Sequence, residues 1–233
     1  MSTRHWNRSR PPLIAMTAIV AALCMPAASR GDITTPGQEQ AQPIENGRSY
    51  GYVRTLEGRA TMAHSSLPGE KSVAVNQPLL VGEEIAVASG SRLELMLSDH
   101  NAVRLAGGSE VRLERMAFSA DSEDRTTLLR LLAGEMQIVV SGQSLGDQLP
   151  RIDTANATVY IEQPGSYRVG ILNGSRTEVV VRDGYAEVLT PDGSAIVRDN
   201  EEAWVEGSSN VRVALRQAEA LDRLEGWGDE LDQ

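Results

Sequence analysis

Cysteine, lysine and phenylalanine are almost missing from this sequence: Cys24, Lys71 and Phe118 are the single instances of each. Cys24 sits in an N-terminal apolar run. The chain beyond it carries no thiol, which excludes a disulfide framework, a cysteine nucleophile and a thiolate metal site. Histidine is also scarce, with only His64 and His100 beyond the first few residues. Positive charge is short as well: 22 Lys and Arg against 32 Asp and Glu leave a net charge of −10. Nucleic-acid binding rests on neutralising phosphates with Lys and Arg, so this balance argues against nucleic acid and against adhesion to anionic lipid. Between residues 50 and 206 no stretch keeps a 3.6-residue apolar period for three turns, which argues against α/β architectures.

What is present begins with an export signal. Arg4, Arg8 and Arg10 form a positive region, "LIAMTAIVAALCM" an apolar core, and "AAS" a small-residue cleavage site, so residues 1–29 read as a signal peptide cut after Ser29. The apolar run is shorter than the ~20 residues a spanning helix needs, so an uncleaved anchor is the lesser alternative. Leu23 before Cys24 disfavours a lipoprotein. After cleavage no membrane span is expected and the net charge falls to about −13, since Arg4, Arg8 and Arg10 are lost. Residues 30–48, polar and broken by Pro36 and Pro43, read as a disordered linker.

From residue 49 to 206 short alternating runs recur. "SRLELMLS" puts Leu93, Leu95 and Leu97 on one face and Arg92, Glu94 and Met96 on the other. Pro164-Gly165, Asn173-Gly174, Asp183-Gly184 and Asp192-Gly193 punctuate the second half at steps of 9, 10 and 9 residues. Such spacing is the signature of an all-β fold, and Asn-Gly and Asp-Gly suit hairpin corners. "LEGRATM", "LAGEMQI" and "RDGYAEV" echo one another, each placing a glycine between two strand-like runs. The expected architecture is all-β, with stacked short antiparallel strands in a solenoid-like or sandwich arrangement. Residues 207–233 read as a C-terminal amphipathic helix or tail, with Leu215, Ala218, Leu221, Leu224, Trp227 and Leu231 at three- and four-residue steps and Gly226 and Gly228 weakening its second half.

Several stretches resemble active sites. Asp99-His100-Asn101 lies between two alternating runs, where a turn needs Asp and Asn to bond their own backbone, so it reads as a hairpin corner. "GQSLG" fits the G-x-S-x-G nucleophile elbow, but neither a helical pattern nor a histidine follows Ser144. "DSEDR" at 121–125 and "DNEE" at 199–202 lack calcium-loop spacing and read as solvated loop charge. Asn156 and Asn173 head glycosylation sequons. No catalytic, cofactor-binding or metal-ligating residues are assigned and no cofactor is expected. Tyr160, Tyr167, Tyr185 and Trp204 are the large rings of the second half and the candidate interaction surface.

"VRTLEGRATM", "NQPLLVGEEIAVASGSRLELMLSDHNAVRLAGGSEVRLE", "LLAGEMQIVV", "IDTANATVYIEQPGSYRV" and "TEVVVRDGYAEVL" together resemble the FecR-type periplasmic domain from about residue 50 to 206. Leu79, Gly82 and Ile85 hold that family's second element, Glu83-Glu84 replaces its usual continuation, and Asp99-His100-Asn101 occupies its turn. The sequence resembles a secreted, uncharacterised branch with the "PGSYRV" element, and "LDRLEGWGDELD" resembles the segment that follows there. The best-known members pair a cytoplasmic anti-sigma domain with a membrane span and a periplasmic domain that reads an outer-membrane receptor. About ten residues precede the apolar run here, so the resemblance implies no direct anti-sigma role. It implies an exported, non-enzymatic binding or scaffolding module of the bacterial cell envelope, in the periplasm, touching an outer- or inner-membrane protein in envelope signalling. A carbohydrate- or peptidoglycan-binding module is the alternative, favoured if aromatics line up on one sheet face. A hydrolase, needing His64 or His100 beside a serine or carboxylate, is the second.

Overall fold

The computed structural model describes residues 51–116, 126–142, 149–172, 176–208 and 210–233, all within the unit Ile44–Gln233. The expected signal peptide and linker, Phe118, "DSEDR", Ser144 and Asn173 lie outside the described residues.

The chain alternates between two layers, termed sheet I and sheet II, and the glycines mark where it crosses. It starts in sheet I with β1 (Gly51–Glu57), turns at Gly58, and runs in sheet II through β2 (Ala60–His64), β3 (Leu67–Ser72) and β4 (Glu83–Val87). Near Gly90 it returns to sheet I for a hairpin of β5 (Arg92–Leu97) and β6 (Ala102–Leu105). At Gly107-Gly108 it crosses to β7 (Glu110–Arg115) in sheet II. Next, β8 (Leu128–Val140) serves both layers: up to Ala133 it pairs with β7, and beyond Gly134 with β6. Sheet II then gains β9 (Arg151–Asp153) and β10 (Thr158–Ile161), where β8 and β9 make the single parallel pairing among the described strands. At Pro164-Gly165 the chain enters sheet I for β11 (Gly165–Leu172) and β12 (Arg176–Asp183), and at Gly184 it goes back to sheet II for β13 (Tyr185–Thr190) and β14 (Gly193–Arg198). Asn200, at φ 57°, turns it into β15 (Glu201–Glu206) and β16 (Arg212–Gln217). A short helix, α1 (Arg223–Leu231), ends the fold.

These strands are all-β as expected, sixteen of them in one unclosed sheet folded at β8 into two layers. The inward positions of both layers form one apolar cluster, including Leu93, Leu95, Leu105, Met136, Ile138 and Val179 from sheet I and Ile85, Val111, Leu129, Ile152 and Val188 from sheet II. Complete burial of each such side chain stabilises by roughly 1.5–3 kcal/mol, so this seam is the main source of stability.

Two expectations are revised. Only Asp192-Gly193 of the described Gly-containing punctuation closes a hairpin, between β13 and β14. Pro164-Gly165 and Asp183-Gly184 are crossings between layers, as are Gly58 and Gly134 of the three echoing segments. The left-handed φ values of Gly58, Gly134 and Gly184, 92°, 74° and 90°, explain why glycine recurs there. The C-terminal stretch also divides. Val211, Val213 and Leu215 alternate as a strand, and β16 carries the last two of them along β15, with Leu215 half-exposed. The helix starts only at Arg223, because Asp222 and Glu225 form a capping box: the Glu225 amide donates to Asp222 Oδ1 at 2.8 Å and the Asp222 amide to Glu225 Oε2 at 3.1 Å.

Asp99-His100-Asn101 is a corner, with a structural duty. It joins β5 to β6, His100 lies exposed at φ 63°, and the Asn101 amide donates to Asp99 Oδ1 at 3.2 Å. Both flanking residues are buried. Thr127 Oγ1, just before β8, donates to Asp99 Oδ2 at 2.8 Å, and the Ser141 amide, just after β8, donates to Asn101 Oδ1 at 2.9 Å. The corner therefore clasps both ends of the folded strand.

Gly134 and Gly90 share φ +74°, but a Cβ at Gly134 would lie 2.5 Å from Ser109 Cα, whereas one at Gly90 meets nothing within 4 Å. Gly90→Ala is expected to cost only left-handed strain, about 1–2 kcal/mol, and Gly134→Ala about 2–4 kcal/mol, by urea unfolding. Equal losses would show that the close approach at Gly134 does not matter. In the same measurement Asp99→Ala should cost roughly 1–3 kcal/mol and His100→Ala under ~0.5 kcal/mol, the reverse of a histidine-centred site.

Candidate interaction surface

The outward face of sheet I has an unusual content. Following the strand register, Glu94, Arg104, Gln137, Arg168, Val180, Glu202 and Arg216 stand side by side across six strand pairings. Polar residues at outward positions are ordinary, but here most are buried: Glu94, Arg104 and Glu202 are at most 1% exposed. Isolated buried charges are costly unless paired, and these are paired along the row. Arg104 Nε donates to Glu94 Oε1 at 3.1 Å and its Nη1 to Gln137 Oε1 at 3.4 Å; Arg168 Nη1 lies 2.9 Å from Glu178 Oε2 and also contacts Glu135.

The lid over this row is α1. Arg182 forms a two-pronged pair with Glu225, at 2.6 and 2.8 Å, and also donates to the Glu219 carbonyl. Arg104 Nη2 donates to Asp232 Oδ1 at 2.6 Å, and Arg168 Nη1 lies 3.2 Å from Asp222 Oδ2. Gly228 lets the helix backbone descend onto the row, for a Cβ there would sit 2.4 Å from Arg104 Nη1. Trp227 donates to Glu57 Oε1 at 2.9 Å and lies under the Arg92 guanidinium, 5.2 Å from the ring centre.

Protonation bears on this contact. Glu135 follows the Gly134 bend and meets Arg168 of β11 and Asp222, the N-cap of α1. Burial and the neighbouring Asp222 carboxyl push Glu135 up to about 7, with Arg168 opposing. Burial also raises Glu178, against the pull of Arg168. At Asp222 burial is outweighed by hydrogen bonds from the Glu135 carboxyl and the Glu225 amide and by Arg168, leaving it below the ordinary value. Glu135 is therefore close to half protonated at neutrality, beside Asp222, the N-cap of α1.

The four rings singled out from the sequence do not form one surface. Tyr167 faces the core at 0% exposure, and its hydroxyl donates to the Gln163 carbonyl at 2.6 Å, joining two layer crossings. Burial pushes that hydroxyl up to about 12. Its assignment to an interaction surface is therefore corrected: an inward strand position buries the ring, and the crossing carbonyls satisfy the hydroxyl. Tyr160 and Tyr185 lie on the outward face of sheet II, Tyr160 beneath Arg151 at 5.7 Å. Trp204 lies on the outward face of sheet I, between Arg176 and Arg216 at 4.6 and 3.8 Å. His64 Nε2 contacts the Val81 carbonyl at 3.0 Å and its Nδ1 contacts Ser66, while His100 sits on the distant β5–β6 corner. Among the described residues no cluster of three His, Cys, Asp or Glu is arranged to hold a metal ion.

Residues 83–187 match the FecR protein family. The FecR match opens at the first residue of β4 and closes within β13, a shorter span than the resemblance read over residues 50–206. It contains Arg104, Arg168, Arg182 and Glu135, and ends before α1. Two crystal structures, at 1.65 and 2.50 Å resolution, of a candidate anti-sigma factor from Parabacteroides distasonis are similar over 59% of this chain, with 23% and 25% identity and a TM-score of 0.49 each. The matched part spans 60% of the length of those chains. No curated protein matches the chain. No helix among the described residues is long and apolar enough to cross a membrane.

Glu135 binds its proton more tightly in the fold than its ordinary value of 4.5 allows, so that proton contributes stability in full below about pH 4.5 and loses it as pH rises through about 7. Asp222 acts oppositely, contributing above its ordinary 3.8 and losing its contribution as pH falls below that. Protection of the α1 amides from hydrogen exchange, corrected for intrinsic rates, is expected to decline as pH rises through 7. Glu135→Gln should flatten that decline; an unchanged decline would dismiss Glu135 as its source.

Proposed function

We propose that this protein is an exported, non-enzymatic FecR-like binding or scaffolding module of the bacterial cell envelope that works by protein–protein contact in envelope signalling. The FecR match over residues 83–187 carries this reading. Supporting it, the stretches that resemble active sites hold structural contacts: the corner at Asp99-His100-Asn101 clasps β8, and His64 is engaged by Val81 and Ser66. The N-terminal charge and apolar run support export, with the mature chain starting at Arg30. The carbohydrate-binding alternative gains no support, since its aromatics are divided among the core and two opposite faces.

In cells, fractionation followed by intact-mass measurement is expected to find the chain in the envelope fraction, beginning at Arg30. Full-length protein confined to the cytoplasm would refute export. Photo-crosslinking from surface positions should then give a discrete adduct with one envelope protein. Any hydrolytic activity abolished by a His64→Ala/His100→Ala/Ser144→Ala variant would refute the non-enzymatic reading.

A further inference from the structure

The structure assigns a second role to the outward face of sheet I: we propose that Arg104, Arg168 and Arg182 form a receptor for an acidic helical segment of a partner protein, with α1 as the resident that keeps it closed. This rests on the protein-contact reading above and deepens it.

The receptor side is built in advance. Glu94 holds Arg104 from within the row and Glu178 holds Arg168, so both guanidinium groups are fixed while they also meet the carboxylates of Asp232 and Asp222. Arg182 presents the paired-donor geometry that suits a carboxylate. All three lie inside the FecR match, whereas α1 lies outside it.

The resident is weakly committed. It has nine residues with Gly226 and Gly228 among them. Each glycine costs roughly 1 kcal/mol against alanine, and helices this short do not hold alone in water. Leu224 and Trp227 are buried but are not members of the main apolar cluster, so α1 packs outside the core between the sheets. The helix is held by buried Leu224 and Trp227 and by its pattern of acids, Asp222, Glu225 and Asp232 on the three arginines, with Gly228 permitting close approach. Even so, the fit is imperfect. Buried Arg168 Nε has no hydrogen-bond partner, and Glu225 Oε2 stands 3.7 Å away. In the segment before α1, Leu221 is 54% exposed. The occupant class follows from charge complementarity with the seat: a helix bearing acids at the spacing of Asp222, Glu225 and Asp232 and a small residue where Gly228 sits.

The test uses the full chain carrying Glu225→Ala/Asp232→Ala, and a fluorescent peptide of residues 218–233 as the probe. Exchange of the α1 amides should show the resident released, and fluorescence anisotropy should show the peptide bound at least tenfold more tightly than by the wild type, as expected when the competent state is freed. Adding Arg182→Gln, or replacing Gly228 of the peptide by Leu, should abolish that gain. An α1 that stays protected, equal binding by both proteins, or no binding by the released variant overturns the proposal. A dimeric variant by light scattering also overturns it, since a second copy's helix would then be the occupant. Photo-crosslinkers at Leu221, beside sheet I, and at Ile196, on sheet II, separate this inference from the reading beneath it. An adduct from Leu221 supports both. One from Ile196 alone refutes the receptor and keeps the protein-contact function, and none from either refutes the function.

Discussion

One strand passing through both layers sets the terms for everything else in this fold. For β8 to leave sheet II and continue in sheet I, its backbone must bend where Ser109 of the preceding corner lies against it, and only a residue without Cβ fits. The Ser109 hydroxyl repairs the break, donating to the Glu135 carbonyl at 2.7 Å and accepting from the Glu135 amide at 2.8 Å. Backbone groups that lose a ladder partner inside a protein need a substitute, and here one side chain supplies two. The two ends of the bent strand are held by Asp99 and Asn101, so bend and clasp fix the same strand at its middle and at its ends. The bend also fixes Glu135 beneath the N-terminus of α1, which links the core to the surface within one residue.

On that surface the energetics differ in kind from those of the core. Apolar burial between the sheets is non-directional and insensitive to pH. The outward row of sheet I is directional: Arg104 and Glu94 are buried on the face that ordinarily meets water, and each depends on a partner at a set distance. Replacing such pairs by apolar residues is often neutral for stability, so a buried row of ions is weak evidence for a stabilising role. Its better-attested use is to specify which surface docks, and in which register.

The fold was largely legible because alternation and glycine chemistry are local. Leu93, Leu95 and Leu97 declare their strand, and Gly58, Gly134 and Gly184 declare bends. Whether a bend closes a hairpin or crosses between layers depends on which strands pair, and that is not local. The outward row was illegible for the same reason: Glu94, Arg104, Gln137, Arg168 and Glu202 become neighbours only through a register linking distant segments. Tyr167 was misassigned because a ring with a hydroxyl suits a surface or a corner equally, and only the nearby Gln163 carbonyl decides between them. The start of α1 was within reach. Asp222-Arg223-Leu224-Glu225 is a capping box in sequence, but the periodic reading ran across it into residues that alternate as a strand.

A polar latch on an apolar sandwich has a consequence that an apolar latch lacks. Were α1 held by a broad hydrophobic stripe, releasing it would expose that stripe to water and invite aggregation. Here the receptor side bares arginines and carboxylates that water solvates well, and the helix itself contributes two large apolar side chains, Leu224 and Trp227. The cost of opening is therefore divided between burial of those two side chains and pairwise electrostatics, and protonation or a competing carboxylate can offset the second part, while the cluster between the sheets stays intact. That division, an apolar seam for the fold and an ionic row for the contact, lets the chain exchange what sits on sheet I without putting the sandwich at risk.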